Sequence, residues 1–231
     1  DILFLVIVMD LLKKFWENPL IKKLIIGTGI FLLIIIFLMI FVSCSSKGKI
    51  YSYNEMVGKL TEKFKTICVA GCHGKTTTTA MLSHILDTIK GANYLIGDGT
   101  GHADIKNEYF VLESCEYRRH FLAYTPYYAI ITNIDLDHTD YFKNMDDVID
   151  AYREYANKAE KLIIACGDDP YTHSLDVIKP IFFYGLSEDN DIRAVNVDYK
   201  TTGPSLEVEV EGNYYGFFDL PIFGKHQLLD A

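Results

Sequence analysis

Residues 71–77 combine the groups that proteins use to bind a polyphosphate. They read Gly-Cys-His-Gly-Lys-Thr-Thr and stand between a short apolar run, Ile67–Ala70, and a segment compatible with a helix through Lys90. Glycine has no β-carbon, so the backbone at Gly71 and Gly74 can close around a phosphate. Successive N–H groups at a helix N-terminus bind anionic oxygens. We therefore predict a nucleotide-binding loop made by Gly71, Cys72, His73, Gly74, Lys75, Thr76 and Thr77.

Two side chains in this loop carry specific chemistry. Lys75 places a positive charge near the terminal phosphates, and Thr76 offers a hydroxyl ligand for Mg²⁺. The longer form of the pattern has glycine at position 69, where this chain has Val69. A glycine-rich turn with a solvated lysine is the alternative. The order of strand, turn and helix favours the nucleotide loop.

Further polar residues follow two other apolar runs. Glu113 ends the run Tyr109–Leu112, and Asn133, Asp135, Asp137 and His138 follow Ala129–Thr132. Because ligands of open α/β sheets bind beyond the carboxyl ends of the strands, Glu113 is placed to ligate the magnesium of a nucleotide. Each acid has an alternative role at a helix N-terminus or on the surface. A histidine ligand also runs against the preference of magnesium for oxygen. Residue chemistry alone therefore supports Lys75, Thr76 and Glu113 as the site.

The elements that position these residues alternate along the chain. Alternation of buried-type strands with helices predicts an α/β fold, with a mostly parallel sheet and helices on both faces. The later runs alternate apolar and polar residues, which predicts an antiparallel edge. The predicted strands are 67–70, 94–96, 109–112, 128–132, 162–166, 181–184, 192–197, 205–210 and 214–220. The predicted helices are 53–64, 76–90, 145–159 and a short piece at 171–177.

Composition limits the classes of function. The chain has 231 residues, a net charge of -9 and a pI of about 5.2, which argue against a nucleic-acid partner. Its five cysteines are odd in number and form no CxxC pair, which indicates reduced thiols of a cytosolic compartment. Cys72 has two interpretations. It is a small residue that fits the loop, or a thiol whose pKa is lowered by a helix N-terminus.

An uncharged apolar run, Leu24–Val42, is long enough to cross a bilayer as a helix. A secretory signal peptide and a buried core helix are the alternatives. We therefore expect residues 1–49 to form a membrane-spanning segment with a linker, and residues 50–231 to form the nucleotide-binding domain. The lysines before the run favour an N-terminus in the cytoplasm. A single span would then place the nucleotide-binding domain on the opposite side of the membrane, where ATP is absent. The need for ATP places it in the cytoplasm instead, and we expect a cytoplasmic domain with an N-terminal membrane anchor.

Three motifs together resemble one known family. The stretches GCHGKTTTT, LESCEYRRHFL and ITNIDLDHTDYF are similar, in this order, to the central ATP-binding domain of the Mur ligases, and the resemblance covers roughly residues 50–231. It implies a P-loop fold and an ATP- and Mg²⁺-dependent ligase of peptidoglycan precursor synthesis. The implied substrates are UDP-N-acetylmuramate and L-alanine, joined through an acyl phosphate.

The resemblance also implies roles for single residues. Lys75 would hold the β- and γ-phosphates, and Asn133 would lie beside the reacting phosphoryl group. Thr76, Glu113 and His138 would ligate magnesium. Lys75, Asn133 and His138 thus form the implied catalytic set.

The chain departs from the family in its organisation. By this resemblance we expect no first domain for the uridine nucleotide before the loop, and the family typically continues into a third domain after residues 224–231. We therefore expect this chain to bind Mg-ATP without ligating by itself. Three alternatives stay open: a membrane-anchored module without catalysis, another Mur-type amide ligase, and a gene-assembly artefact.

Overall fold

Strands and helices alternate through the computed structural model, which describes residues 49–222 and 224–230. Its helices are α1 (Tyr53–Thr61), α2 (Lys75–Lys90), α3 (Met145–Asn157) and α4 (Lys225–Asp230). Its strands are β1 (Lys65–Ala70), β2 (Ala92–Leu95), β3 (Gly101–His102), β4 (Tyr109–Glu113), β5 (Tyr128–Ile131), β6 (Leu162–Cys166), β7 (Ile181–Gly185), β8 (Ile192–Lys200), β9 (Gly203–Val210) and β10 (Asn213–Asp219). Short 3₁₀ segments cover Tyr117–Ala123 and Thr172–Ser174. Tyr51–Ala231 form one compact unit.

The strands of the described residues form one sheet in the order β10-β9-β8-β7-β6-β5-β1-β4-β2-β3. The middle of the sheet is parallel. Each neighbouring pair in the series β8-β7-β6-β5-β1-β4-β2 runs in the same direction. Strands β9 and β10 continue it in antiparallel pairing, and β3 pairs antiparallel with β2 at the other edge. The mostly parallel sheet with an antiparallel edge is therefore confirmed, and the second antiparallel edge is new.

The central strands are buried on both faces. In β1, every residue from Thr66 to Ala70 is buried, and in β4 so are Phe110, Val111 and Leu112. Successive strand residues point to opposite faces, so both faces of the sheet must be covered. One face carries the main core, in which Phe121 stacks on Tyr155 of α3 with ring centroids 4.6 Å apart.

Helix starts follow local capping chemistry. Ser52 caps α1 by accepting a hydrogen bond from Glu55 N at 3.3 Å, and the Glu55 carboxylate accepts one from Ser52 N at 2.8 Å. Asn144 caps α3 by accepting from Asp147 N at 3.0 Å. These side chains satisfy N–H groups that have no partner inside the helix, and so fix where each helix begins.

The sheet order places a crevice at the middle of its carboxyl edge. Strand β1 lies between β4 and β5, and the chain passes from one side of β1 to the other between these two strands. Such a reversal separates the connections that follow neighbouring strands and leaves a crevice at their carboxyl ends. Gly71, Glu113 and Thr132 follow or end these three strands.

Several segments differ from the sequence prediction, and strand β3 and helix α4 are short elements that it lacked. The helix predicted at 171–177 is only the 3₁₀ turn Thr172–Ser174, in which the Asp169 carboxylate accepts hydrogen bonds from Tyr171 N and Thr172 N. The 3₁₀ segment Tyr117–Ala123 was not predicted.

No helix of residues 49–222 and 224–230 is long and apolar enough to cross a bilayer. The predicted span, Leu24–Val42, lies outside the described residues.

Candidate functional site

The loop between β1 and α2 takes a shape that only glycine allows at two positions. Gly71 has φ 147° and Gly74 has φ 80°, both in the region that side chains disfavour. A β-carbon on Gly71 would overlap the Thr132 hydroxyl, and one on Gly74 would overlap the Asp230 carboxylate. Conformation and lack of space both demand glycine at Gly71, whereas at Gly74 the positive φ is the main reason, because the Asp230 carboxylate is the end of a side chain that can move aside.

The loop opens onto an uncapped helix. Within the part of the chain that the structure describes, no side chain caps the N-terminus of α2, unlike α1 and α3. The N–H groups of the first helical turn have no partner inside the helix, and they carry the positive end of its dipole. This arrangement suits an anion such as a phosphate. Thr77 lies in this first turn and is half-buried.

Asn133 holds the loop in place. Its Oδ1 accepts a hydrogen bond from His73 N, and its Nδ2 donates one to His73 O, both at 2.9 Å. Thr132 Oγ1 also donates to His73 O at 2.5 Å, and Cys72 N donates to Asn133 O at 3.3 Å. The Asn133 amide thus contacts both polar groups of one loop residue, and its direct structural role is to orient the loop.

We expect Asn133→Ala to weaken ATP binding by roughly 30-fold, because the loop loses two hydrogen bonds of about 1 kcal/mol each that hold it in its binding shape. Isothermal titration with Mg-ATP measures this change. Asn196→Ala is the matched control, since Asn196 lies in β8 and donates to Glu207 Oε2. An unchanged dissociation constant for Asn133→Ala would show that the loop keeps its shape without this amide.

Lys75 is folded back onto its own loop. Its Nζ donates to Gly71 O at 2.5 Å and to Cys72 O at 3.3 Å. The same ammonium lies 3.1 Å from Glu116 Oε2, and the Lys75 side chain is only 15% exposed. The ammonium is therefore at the loop, where phosphates would lie, but is engaged with protein oxygens.

Thr76 and Glu113 meet as the sequence predicts. Thr76 Oγ1 donates to Glu113 Oε1 at 3.1 Å, and Gly97 N donates to Glu113 Oε2 at 2.7 Å. A β-carbon on Gly97 would overlap the Glu113 carboxylate, so this glycine lets the backbone approach it closely. A hydroxyl and a carboxylate side by side are oxygen ligands of the kind that Mg²⁺ prefers.

His138 belongs to a second group of possible metal ligands, of which the sequence analysis did not predict every member. Its Nε2 is 3.3 Å from Glu116 Oε1. One ligand atom each from Glu116, Asp137 and His138 lies within 4.8 Å of the others. Glu116 was not predicted. It lies three residues after the end of β4, in a segment that is neither helix nor strand, so no periodicity could indicate where its side chain points.

The ligand chemistry of both groups fits a divalent cation. Glu116 is 2% exposed, and its Oε2 has no hydrogen-bond partner among the described residues, although it lies 3.1 Å from Lys75 Nζ. A buried carboxylate oxygen without a hydrogen bond is costly, and a cation offsets that cost. The predicted metal ligands thus fall into two sets: Thr76 with Glu113, and His138 with Glu116 and Asp137.

Cys72 does not act as an activated thiol. Burial raises the pKa of its thiol, and a hydrogen bond with the Asp135 backbone only partly opposes this shift. Its Sγ lies 3.1 Å from both Asp135 N and Asp135 O, so it joins the loop to the segment after β5. The interpretation as a small residue that fits the loop agrees with this geometry.

A cavity of about 540 Å³ opens beside the loop. Its lining includes His73, Gly74, Asn133, Asp168, Asp169 and Asp230. Burial would raise the pKa of Asp168, but hydrogen bonds from Leu186 N and Ser187 N outweigh it and hold the pKa below its ordinary value. The lining of the cavity therefore includes a carboxylate that stays ionised near neutral pH.

A family model and the similar curated proteins point to the same family. A model described as the Mur ligase middle domain matches residues 69–231. The UDP-N-acetylmuramate--L-alanine ligase of Lactiplantibacillus plantarum is 48% identical over 182 residues, which are 79% of this chain and 42% of that protein. The chain thus spans less than half the length of the curated relatives it matches.

Solved structures show a similar fold. A UDP-N-acetylmuramate-alanine ligase from Thermotoga maritima has a TM-score of 0.66 and 25% identity, covering 77% of this chain and 41% of that chain. A MurF ligase from the same organism, in complex with ADP, has a TM-score of 0.65 and 21% identity, covering 78% of this chain and 48% of that chain.

Proposed function

The chain belongs to the Mur ligase family, and we propose that it carries the ATP-binding site of a ligase that joins L-alanine to UDP-N-acetylmuramate. One observation carries this proposal: Lys75, Thr76 with Glu113, and His138 with Glu116 converge on the carboxyl ends of neighbouring strands. The choice of L-alanine is supported by the 48% identity to ligases of that name.

The triphosphate of ATP would lie against the loop and the first turn of α2. The loop glycines leave room for it, and the uncapped helix supplies N–H donors. The cavity of about 540 Å³ begins at His73 and Gly74 and is the place for the nucleoside. The structural neighbour with bound ADP supports a nucleotide at this fold.

The proposed reaction has two steps. The muramate carboxylate attacks the γ-phosphorus of ATP, which gives an acyl phosphate and releases ADP. The amine of L-alanine then attacks the acyl carbon, the C–O bond to phosphate breaks, and inorganic phosphate leaves. The amine loses a proton as the amide bond forms.

The protein mainly positions these groups and offsets their negative charge. Carboxylate and triphosphate repel each other, and a bound Mg²⁺ would supply the extra positive charge that lets them approach. Thr76 and Glu113 would hold one such ion, and His138 with Glu116 and Asp137 would hold another. Lys75 would bind the β- and γ-phosphates, while Asn133 keeps the loop N–H groups aimed at them.

We place this site in the cytoplasm, where ATP is available. The predicted anchor, Leu24–Val42, stays a prediction, and so does the boundary between residues 1–49 and 50–231.

A domain exchange tests the proposed activity. Residues 51–231 would replace the matching segment of the Lactiplantibacillus plantarum ligase, and phosphate release would be measured with Mg-ATP, UDP-N-acetylmuramate and L-alanine. We expect release that depends on L-alanine and disappears when the exchanged segment carries Lys75→Ala. A folded chimera that binds Mg-ATP but releases no phosphate would contradict the ligase and favour a module without catalysis.

A further inference from the structure

The charges around Lys75 present a conflict. Its ammonium donates to two loop carbonyls, Gly71 O and Cys72 O, and at 3.4 Å to Glu116 Oε1, while Glu116 Oε2 lies 3.1 Å away as an ion-pair partner. An ammonium has three N–H donors, so these contacts leave none for a phosphate. A triphosphate on the loop would therefore have to compete with Glu116 for Lys75.

We propose that Glu116 is a positioning residue that holds Lys75 back from the phosphates until a divalent cation takes the place of the ammonium on its carboxylate. This inference rests on the proposed function, because it concerns the same ATP site. Without a cation, Glu116 competes with ATP for the Lys75 ammonium. With a cation, Glu116 binds the cation and Lys75 is available to ATP.

Burial explains why the carboxylate cannot simply be abandoned. Glu116 is 2% exposed, so moving Lys75 away would leave a buried negative charge without its counter-ion. Breaking a buried pair in this way is strongly unfavourable. Water cannot compensate fully at such a position.

The neighbours of Glu116 offer the replacement. His138 Nε2 lies 3.3 Å from Glu116 Oε1, and Asp137 completes a group whose ligand atoms lie within 4.8 Å of one another. A cation held there would neutralise Glu116 and free Lys75 for the phosphates. ATP and the cation would then each raise the affinity for the other, as linkage requires.

The test compares ATP affinity with and without cation. The purified chain is titrated calorimetrically with ATP in Mg²⁺ and in EDTA, and the ratio of the two dissociation constants measures the coupling. For Glu116→Gln we expect ATP in EDTA to bind about tenfold more tightly than to the wild type, because Lys75 is released. The coupling ratio should fall by at least the same factor.

Glu108→Gln is the matched control. Glu108 pairs with Lys65 at 2.5 Å beside the start of β1, and its loss should leave both dissociation constants unchanged. Glu113→Gln is a second comparison. It removes a proposed Mg²⁺ ligand but leaves the Lys75–Glu116 pair, so its coupling should fall without any gain of affinity in EDTA.

The outcomes separate this inference from the proposed function. Unchanged or weaker ATP binding by Glu116→Gln in EDTA, with a wild type that binds Mg-ATP, would overturn the inference alone. A wild type that binds no ATP in either buffer would overturn both. If Glu116→Gln shows no cooperative melting and is therefore unfolded, the same titrations are made with Asp137→Asn. This variant removes a proposed cation ligand but keeps the Lys75–Glu116 pair. A several-fold lower coupling ratio supports the inference, and an unchanged ratio overturns it.

Discussion

Replacing Lys75 with alanine is expected to weaken the binding of Mg-ATP by roughly 100-fold. A hydrogen bond to a charged group contributes about 1.5–3 kcal/mol, and the structure places the Lys75 ammonium at the loop. The dissociation constant from isothermal titration measures the change. Lys65→Ala is the control, because Lys65 also pairs with a glutamate but lies at the opposite end of β1.

A loss of stability has to be separated from a loss of binding in this variant. Without Lys75, the buried carboxylate of Glu116 has no ammonium beside it, so the melting temperature should also fall. The double variant Lys75→Ala/Glu116→Gln removes that buried charge. We expect it to recover the melting temperature but not the affinity for Mg-ATP. Recovery of affinity as well would mean that Lys75 only stabilises the fold.

Gly71→Ala should lower the free energy of unfolding by about 3 kcal/mol and remove most nucleotide binding. The cost combines an unfavourable φ of 147° with the overlap between the new β-carbon and the Thr132 hydroxyl. Relief of this overlap would have to move the loop away from Thr132 and Asn133. Urea denaturation gives the stability, and calorimetry gives the affinity.

Gly212→Ala separates the two causes. Gly212 has φ 74°, but a β-carbon there would meet nothing within 4 Å. We expect it to cost only about 1 kcal/mol, from backbone strain alone, with ATP affinity unchanged. Equal losses in the two variants would show that the contact with Thr132 is unimportant.

The parallel sheet could be predicted because its signal is local. Apolar runs such as Tyr109–Leu112 and Leu162–Cys166 are bounded by turns and alternate with helical segments, and the structure has strands at both places. The 3₁₀ segment Tyr117–Ala123 gave no such signal. It is interrupted at Arg118 and Arg119, whose φ values of 52° and 57° no arginine favours by itself, so only tertiary contacts can fix them.

One of those contacts is visible. Arg119 pairs with Asp147 at 2.8 Å and with Glu154 at 3.4 Å, which ties the segment to α3. The structure gives Arg119 acidic partners of its own and leaves Arg118 exposed, with its guanidinium 5.3 Å from the Tyr117 ring.

The candidate site could be predicted where a residue lies directly at a strand end. Glu113 follows this rule as the last residue of β4, and Thr76 was predicted from the loop motif; their side chains are 3.1 Å apart. Glu116 could not be placed in the same way, because its inward direction depends on the irregular backbone after β4. The hydrogen bonds between Asn133 and His73 could not be predicted either, because they join residues that are 60 positions apart in the sequence.

The central claim is that the loop and the Thr76–Glu113 pair hold a triphosphate and a divalent cation together. Electron–nuclear double resonance of the chain with Mn²⁺ and ATP tests it most directly. We predict ³¹P hyperfine coupling to bound Mn²⁺ in the wild type, and its loss in Glu113→Gln. Mn²⁺ that binds without ³¹P coupling, or a coupling that Glu113→Gln leaves unchanged, would contradict the claim.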